Sequence, residues 1–252
     1  MSWIISGKSD PDFETYVAAV EAADSAALEV EVRQAYYNFI VGCKADGIWD
    51  AIKACCILAG ARTLNGALVP LVSTMPAPTN VGLLDADYNR KNGITNGFNE
   101  YIDTNYSNSL PDQDNQHLAV YQPIAGSGSN VAGTGGGAVT GATHFYSDGN
   151  RITYRNRNSG NNDQITGQWP TGFLGMSRNN NANYSTRHLG VSNLFSRTSQ
   201  TPATGNVWIF GRNPQLSFAN TISFYSIGES LDLALLDARV TTLMSNLAAA
   251  IP

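Results

Sequence analysis

Four aromatic residues in the second half of the chain, Tyr146, Tyr154, Trp169 and Tyr184, stand close to two asparagine-rich segments. One is NRNSGNN, which holds Asn156, Asn158 and Asn161. The other is RNNNANY, which places Asn179 and Asn183 just ahead of Tyr184. Aromatic rings stack on the C–H faces of sugars, and side-chain amides bond sugar hydroxyls. Together these residues could recognise a carbohydrate, with segments 156–163 and 179–184 as its place. The same asparagines also have a conformational use, because Asn tolerates left-handed backbone and bonds its own main chain in tight turns.

Bond-breaking groups do not form patterns. The run GMSRN, 175–179, lacks the last glycine of a G-x-S-x-G elbow, and no lysine follows the glycine-rich AGSGSNVAGTGGGAV, 125–139, as a phosphate-binding loop requires. That glycine-rich run reads as a mobile loop between strands or as a place where backbones approach closely. His117, His144 and His188 are far apart, and Cys43, Cys55 and Cys56 are too compact a set for tetrahedral zinc. Asp85 with Asp87, and Asp112 with Asp114, are spaced like glycosidase carboxylates but fall in turn sequences, the second behind Pro111. No enzyme is expected. As oxygen donors these pairs are where a Ca²⁺ could sit; no other cofactor is expected.

Only 14% of the 252 residues are charged, while 25 are Asn. Ordinary domains carry about a quarter charged residues. Polarity here rests on amides and hydroxyls, as on a rigid extracellular or virion-type β surface. The net charge is −5, but residues 141–228 hold seven arginines against Asp148 and Asp163. That stretch has no lysine, which argues against a phosphate-tracking surface and a nucleic-acid partner. No window offers the roughly 18 apolar residues of a membrane span. The start, MSWIISGKSD, does not read as a signal peptide. Three cysteines, two of them adjacent, make a poor disulfide framework. They are expected free and buried, in a chain made and folded in a reducing cytoplasm.

Helical rhythm runs from residue 11 to about 60. Asp10 before Pro11 reads as an N-cap, with Phe13, Val17 and Val20 on one face. Asp24 or Ser25 would cap a second helix carrying Leu28, Val32, Phe39 and Cys43, ended by Gly47. Ile48, Trp49, Ile52, Cys55 and Cys56 suggest a third, short buried helix. Turn signals fill 60–115. Short strand-like runs follow: 117–121, 138–146, 151–155, 172–177, 184–191, 206–211 and 221–227. Trp208 and Phe210 in GNVWIFGRN read as core. Strands this short and this regularly punctuated indicate an antiparallel sandwich or jelly roll. At the end, Leu233, Leu236, Val240, Leu243 and Leu247 step by three and four behind an Asp232 cap. That stripe would lie on its own domain or, less readily over two heptads, form an oligomeric coil. The two ends of the chain are expected to pack together beside the sandwich.

The closing stretch NTISFYSIGESL, 220–231, with YIDTNYSNSLPDQDNQHLAVYQ and GNVWIFGRN before it, resembles the concanavalin A-like, laminin-G-like lectin jelly roll over about residues 98–230. Across nearly the whole chain, YNFIVGCKADGIWDAIKACCILAGARTLNGALVPL and DYNRKNGITNGFNEYIDTN resemble modules of bacteriophage and environmental-virus structural proteins. The resemblance implies an α+β, mainly β fold. It has a helical segment (1–65), a β-sandwich (66–230) and a C-terminal helix (231–252). It also implies a non-enzymatic virion protein, either a capsid decoration or a tail-fibre subunit. The partners would be other virion proteins and further copies of the chain, as in a trimer. The alternative is a carbohydrate-binding module for host surface glycan.

Overall fold

The computed structural model describes residues 9–124, 126, 130–135, 139–147, 150–160, 162–167, 171–216 and 219–252. In chain order its elements are α1 (Pro11–Asp24), α2 (Val30–Ala45), β1 (Ile52–Ile57), α3 (Leu64–Ala67), β2 (Thr79–Val81), β3 (Tyr88–Asn89), β4 (Gly93–Thr95), β5 (Tyr101–Ser107), β6 (Gln116–Gln122), β7 (Asn130–Thr134), β8 (Thr143–Ser147), β9 (Arg151–Asn156), β10 (Asp163–Thr166), β11 (Gly172–Arg178), β12 (Asn183–His188), β13 (Val191–Ser196), β14 (Asn206–Ile209), β15 (Gly211–Arg212), β16 (Gln215–Leu216), β17 (Thr221–Ile222), β18 (Phe224–Gly228) and α4 (Leu233–Ala250).

A six-stranded sheet has the order β1-β18-β6-β11-β12-β13, and a seven-stranded sheet has the order β10-β9-β8-β7-β14-β5-β2. Neighbouring strands in both run antiparallel. Residues from both sheets share one core: Leu118, Val120, Leu174, Met176, Tyr225 and Ile227 meet Ile102, Val131, Phe145, Tyr154, Val207 and Ile209. The other face of the six-stranded sheet carries a second core. There Cys55, Ile57, Ala119, Phe173 and Phe224 pack under α1, α2 and α4. The result is three layers: helices, six strands, seven strands.

The middle layer explains one departure from the sequence reading. The run IKACCI was expected to be a third helix, yet it is β1, paired with β18 from Ile52↔Gly228 to Ile57↔Phe224. A strand buried on both faces reads as a continuous apolar run, without the alternation that marks a half-exposed one. Cys55 and Ile57 point toward the helices; Ala54 and Cys56 point into the sandwich. The adjacent cysteines therefore face opposite ways, and all three are free and buried.

Four further expectations change. Asp24 ends α1, and Ser25 is its left-handed C-cap, so neither caps α2; Glu29 stands there without a side-chain bond to the helix amides, its carboxylate meeting Arg62 and Arg90 instead. Asp24 instead accepts from the Arg62 and Thr63 amides. Residues 184–191 are not one strand. Leu189 and Gly190 both have positive φ and turn β12 back into β13. The glycine-rich stretch contains β7, a strand inside the seven-stranded sheet, so of the two expectations for it the loop fails there and the close backbone approach holds: a Cβ on Gly133 would come within 2.3 Å of the Thr143 carbonyl. Trp208 lies outside the core, as described below.

Asp10 does cap α1, accepting from the Asp12 and Phe13 amides, and Asp232 caps α4 in the same way. Leu236, Val240, Leu243 and Leu247 are buried with Leu233 in the helical core, and α4 lies along α2 and across β11 and β12. The apolar stripe is thus spent within the chain, and the two ends meet there. Gly175 makes room for this. A Cβ on it would come within 2.8 Å of Leu233 and 2.6 Å of the Phe173 ring. Arg239 on the outer side of α4 ties the helices together through both oxygens of Asp46.

Candidate functional site

The expected aromatic platform is not assembled. Tyr154 and Tyr184 are buried in the core between the sheets, and the Tyr184 hydroxyl donates to Asp163 at 2.8 Å. Their rings face other side chains, so neither offers a face to a sugar. Asn156 and Asn158 are buried as well. Asn161 and Trp169 lie outside the described residues. Tyr146 is half-buried on a different surface, the outer face of the seven-stranded sheet.

The asparagine segments are held by buried arginines, a role the sequence reading missed. Arg178 donates to the Asn156, Asn180, Asn183 and Arg197 carbonyls. Arg157 donates to the Asn108, Pro111 and Asp112 carbonyls. Burial pulls both guanidiniums below their ordinary pKa, Arg157 to about 10. Asn180 adds an Asx turn, accepting from the Ala182 and Asn183 amides. The signal was present in the sequence as arginines inside turn segments poor in acids.

Two of the expected residues, Asn179 and Asn183, do line a common cleft. It measures about 530 Å³ and lies between the start of α4 and the β11–β12–β13 strands. Ser177, Ser185, Ser192 and Ser230 add hydroxyls, Leu194, Leu231 and Leu233 add apolar surface, and Asp232 is the one charged residue of the lining. The hydroxyls are already oriented. Ser177 Oγ accepts from the Leu231 amide at 3.2 Å, Ser230 Oγ donates to Asn115 at 2.7 Å, and Ser192 Oγ accepts from Arg187 at 3.1 Å. A hydroxyl can make three bonds, so each keeps capacity for a ligand. Leu194, 66% exposed, forms an apolar wall on the edge strand. Arg187 and Asp237 close one flank with a 2.7 Å ion pair. Beyond them lies a second opening lined by Tyr121, Phe173, Leu189 and Thr241.

The outer face of the seven-stranded sheet carries a second group. Asp103, Trp208, Gly133, His144 and Arg155 are successive cross-strand partners on that face. Trp208 stacks on Tyr101 at 4.1 Å between ring centroids and donates its indole N–H to Asp103. The expectation of a core Trp208 fails because Val207 and Ile209 point inward, which turns Trp208 out. Alternation along NVWI is the sequence signal for that.

The carboxylate pairs considered for Ca²⁺ are engaged locally. Asp87 accepts from the Leu84 amide, and Asp114 accepts from Ser199. Among the described residues no cluster of three His, Cys, Asp or Glu side chains is close enough to hold a metal. Among the same residues no helix is long and apolar enough to cross a membrane.

No family description and no curated protein matches this sequence. Solved structures do match in fold. The botulinum neurotoxin serotype D binding domain superposes with a TM-score of 0.50 at 10% identity, over 77% of this chain and 51% of that one. The chain thus spans about half the length of that structure. A Trypanosoma rangeli sialidase (TM-score 0.48, 10% identity, 77% of this chain and 32% of that one) and mouse laminin alpha1 domains LG4-5 (0.39, 12%, 56% and 41%) resemble it more loosely. At such identities the likeness concerns the fold: an antiparallel, jelly-roll β-sandwich, here roofed by helices from both ends of the chain.

Proposed function

We propose that this chain is a lectin-like carbohydrate-binding module without catalysis, and that it takes an uncharged stretch of glycan in the cleft beside α4. The observation that carries this reading is the cleft's lining. Six hydroxyl or amide side chains, a leucine wall and a single carboxylate match a ligand that alternates hydroxyls with C–H surface. The jelly-roll fold is compatible with it but does not fix it. The setting we infer is the surface of a virus particle, as a decoration or fibre subunit contacting host glycan. That setting rests on the resemblance of YNFIVGCKADGIWDAIKACC and DYNRKNGITNG to phage structural modules.

The test is a glycan array followed by calorimetry on the best ligand. Ala234 lines the cleft and is exposed, so Ala234→Trp should fill the space without disturbing the core. The expected result is a saturable glycan whose affinity falls at least tenfold in that variant. A ligand indifferent to Ala234→Trp, or an array without any saturable hit, would overturn the assignment.

A further inference from the structure

Ten of the eleven arginines of the chain bond an oxygen. Arg33, Arg62, Arg90, Arg187, Arg197 and Arg239 meet carboxylates. Arg155, Arg157 and Arg178 meet carbonyls, and Arg151 meets Gln164. Arg212 alone, among the described residues, meets none. Its Nη1 lies 3.3 Å from His144 Nε2, its guanidinium stands 5.5 Å from the centre of the Tyr146 ring, and its buried Nε has no hydrogen-bond partner among the described residues.

Among the described residues the surroundings add no compensating charge. A guanidinium can only donate, so His144 Nε2 accepts and the ring proton sits on Nδ1. That Nδ1 is buried and makes no hydrogen bond of good geometry, with the Gly135 carbonyl and the Asn162 side chain as the acceptors acting on the ring. His144 is held neutral, its pKa pushed down to about 3 by burial and by Arg212 and Arg155. Arg155 stands directly opposite His144 on the neighbouring strand, so a second guanidinium shares the face. A half-buried cation without an anion is expensive, and a second cation nearby makes it more so. Among the described residues the site therefore holds positive charge and donors and offers Arg212 no carboxylate. Gly211, next to Arg212, approaches the Trp208 ring, whose stack with Tyr101 lies two strands from His144 in the same cross-strand row.

We propose that Arg212, oriented by His144 and Tyr146, binds the carboxylate of an acidic sugar on the outer face of the seven-stranded sheet, with the Trp208–Tyr101 pair as the nearby apolar surface. The ligand class rests on the binding-module reading, but the residues are separate from the cleft. A planar guanidinium suits a carboxylate through two parallel bonds. The absence of lysine from 141–228 favours a single fixed charge over the many flexible ones that follow a nucleic-acid backbone.

The experiment titrates the whole chain with a short oligogalacturonate. Calorimetry gives the Kd, and ¹⁵N spectra report the Arg212 Nε–H and the His144 ring. The comparison ligands are a neutral oligosaccharide of equal length, inorganic sulfate and a short single-stranded DNA. The expected result is saturable uronate binding with shifts at both side chains, weakened at least tenfold by Arg212→Gln, partly retained by Arg212→Lys, and unchanged by Ala234→Trp. Unshifted Arg212 and His144 signals, equal binding by Arg212→Gln, or sulfate or DNA binding as tight as the uronate would overturn it. Loss of neutral-glycan binding in Ala234→Trp with uronate binding intact separates the two sites, and loss of uronate binding in that variant would overturn the proposal.

Discussion

Acid should destabilise this protein well above the pH at which its carboxylates titrate, and His117 supplies a measurable share. His117 is fully buried on β6. Its Nδ1 bonds the Glu229 carbonyl at 2.5 Å and its Nε2 bonds Ser226 Oγ at 2.7 Å. A carbonyl only accepts, so Nδ1 carries a proton. Burial lowers its pKa from 6.5 to about 4. The unfolded chain therefore binds a proton near pH 6.5 that the folded chain refuses until about pH 4. Stability from this group is complete above pH 6.5 and is lost as pH falls toward 4. One pKa unit corresponds to about 1.4 kcal/mol, so lowering the pH from 7 to 4.5 should cost about 2–3 kcal/mol through His117 alone. His144, held down to about 3, acts in the same direction. The assay is urea unfolding at pH 7 and pH 4.5 for wild type and His117→Gln. Whatever the variant's starting stability, its loss over that range should be smaller than the wild-type loss by about 2–3 kcal/mol. An equal loss in both proteins would refute the neutral, desolvated histidine.

Two other outcomes follow from the packing. Leu243→Ala removes a buried side chain from the α2–α4 contact and should cost about 2–5 kcal/mol of unfolding free energy by calorimetry or urea titration. Because the stripe serves the chain's own core, the mass in solution should not change with it; a lost oligomer would contradict that role. Arg178→Met leaves the Asn156, Asn180, Asn183 and Arg197 carbonyls without their donor and should cost at least about 3 kcal/mol. Amide exchange around 179–183 should rise more than in β6, and uniform exchange across the two would count against arginine as the clasp of that loop.

The two caps and the α4 stripe were legible because they are local. Asp before Pro, Asp before an apolar run, and leucines at three- and four-residue steps act within a few turns of chain. The β-rich class was legible from turn residues between short strands. The double-sided burial of β1 could not be read the same way. Whether IKACCI curls or extends depends on β18, some 170 residues later, offering it an edge, and on α2 covering the other side.

The candidate sites divide in the same manner. The sequence by itself determined the supply: many asparagines and serines, few charges, and arginine without lysine in the second half. Only the tertiary structure decided which of these reach solvent. Tyr154 and Tyr184 look like platform residues by type, but the facing sheet closes over both rings. Asn179 and Asn183 reach a cleft because the start of α4 stands across from them. Arg212 is an ordinary arginine in the sequence. What singles it out is that folding places it beside a neutral histidine and a tyrosine and, among the described residues, in no hydrogen bond to an oxygen. Charge compensation is a property of neighbours in space, and no spacing along the chain states it.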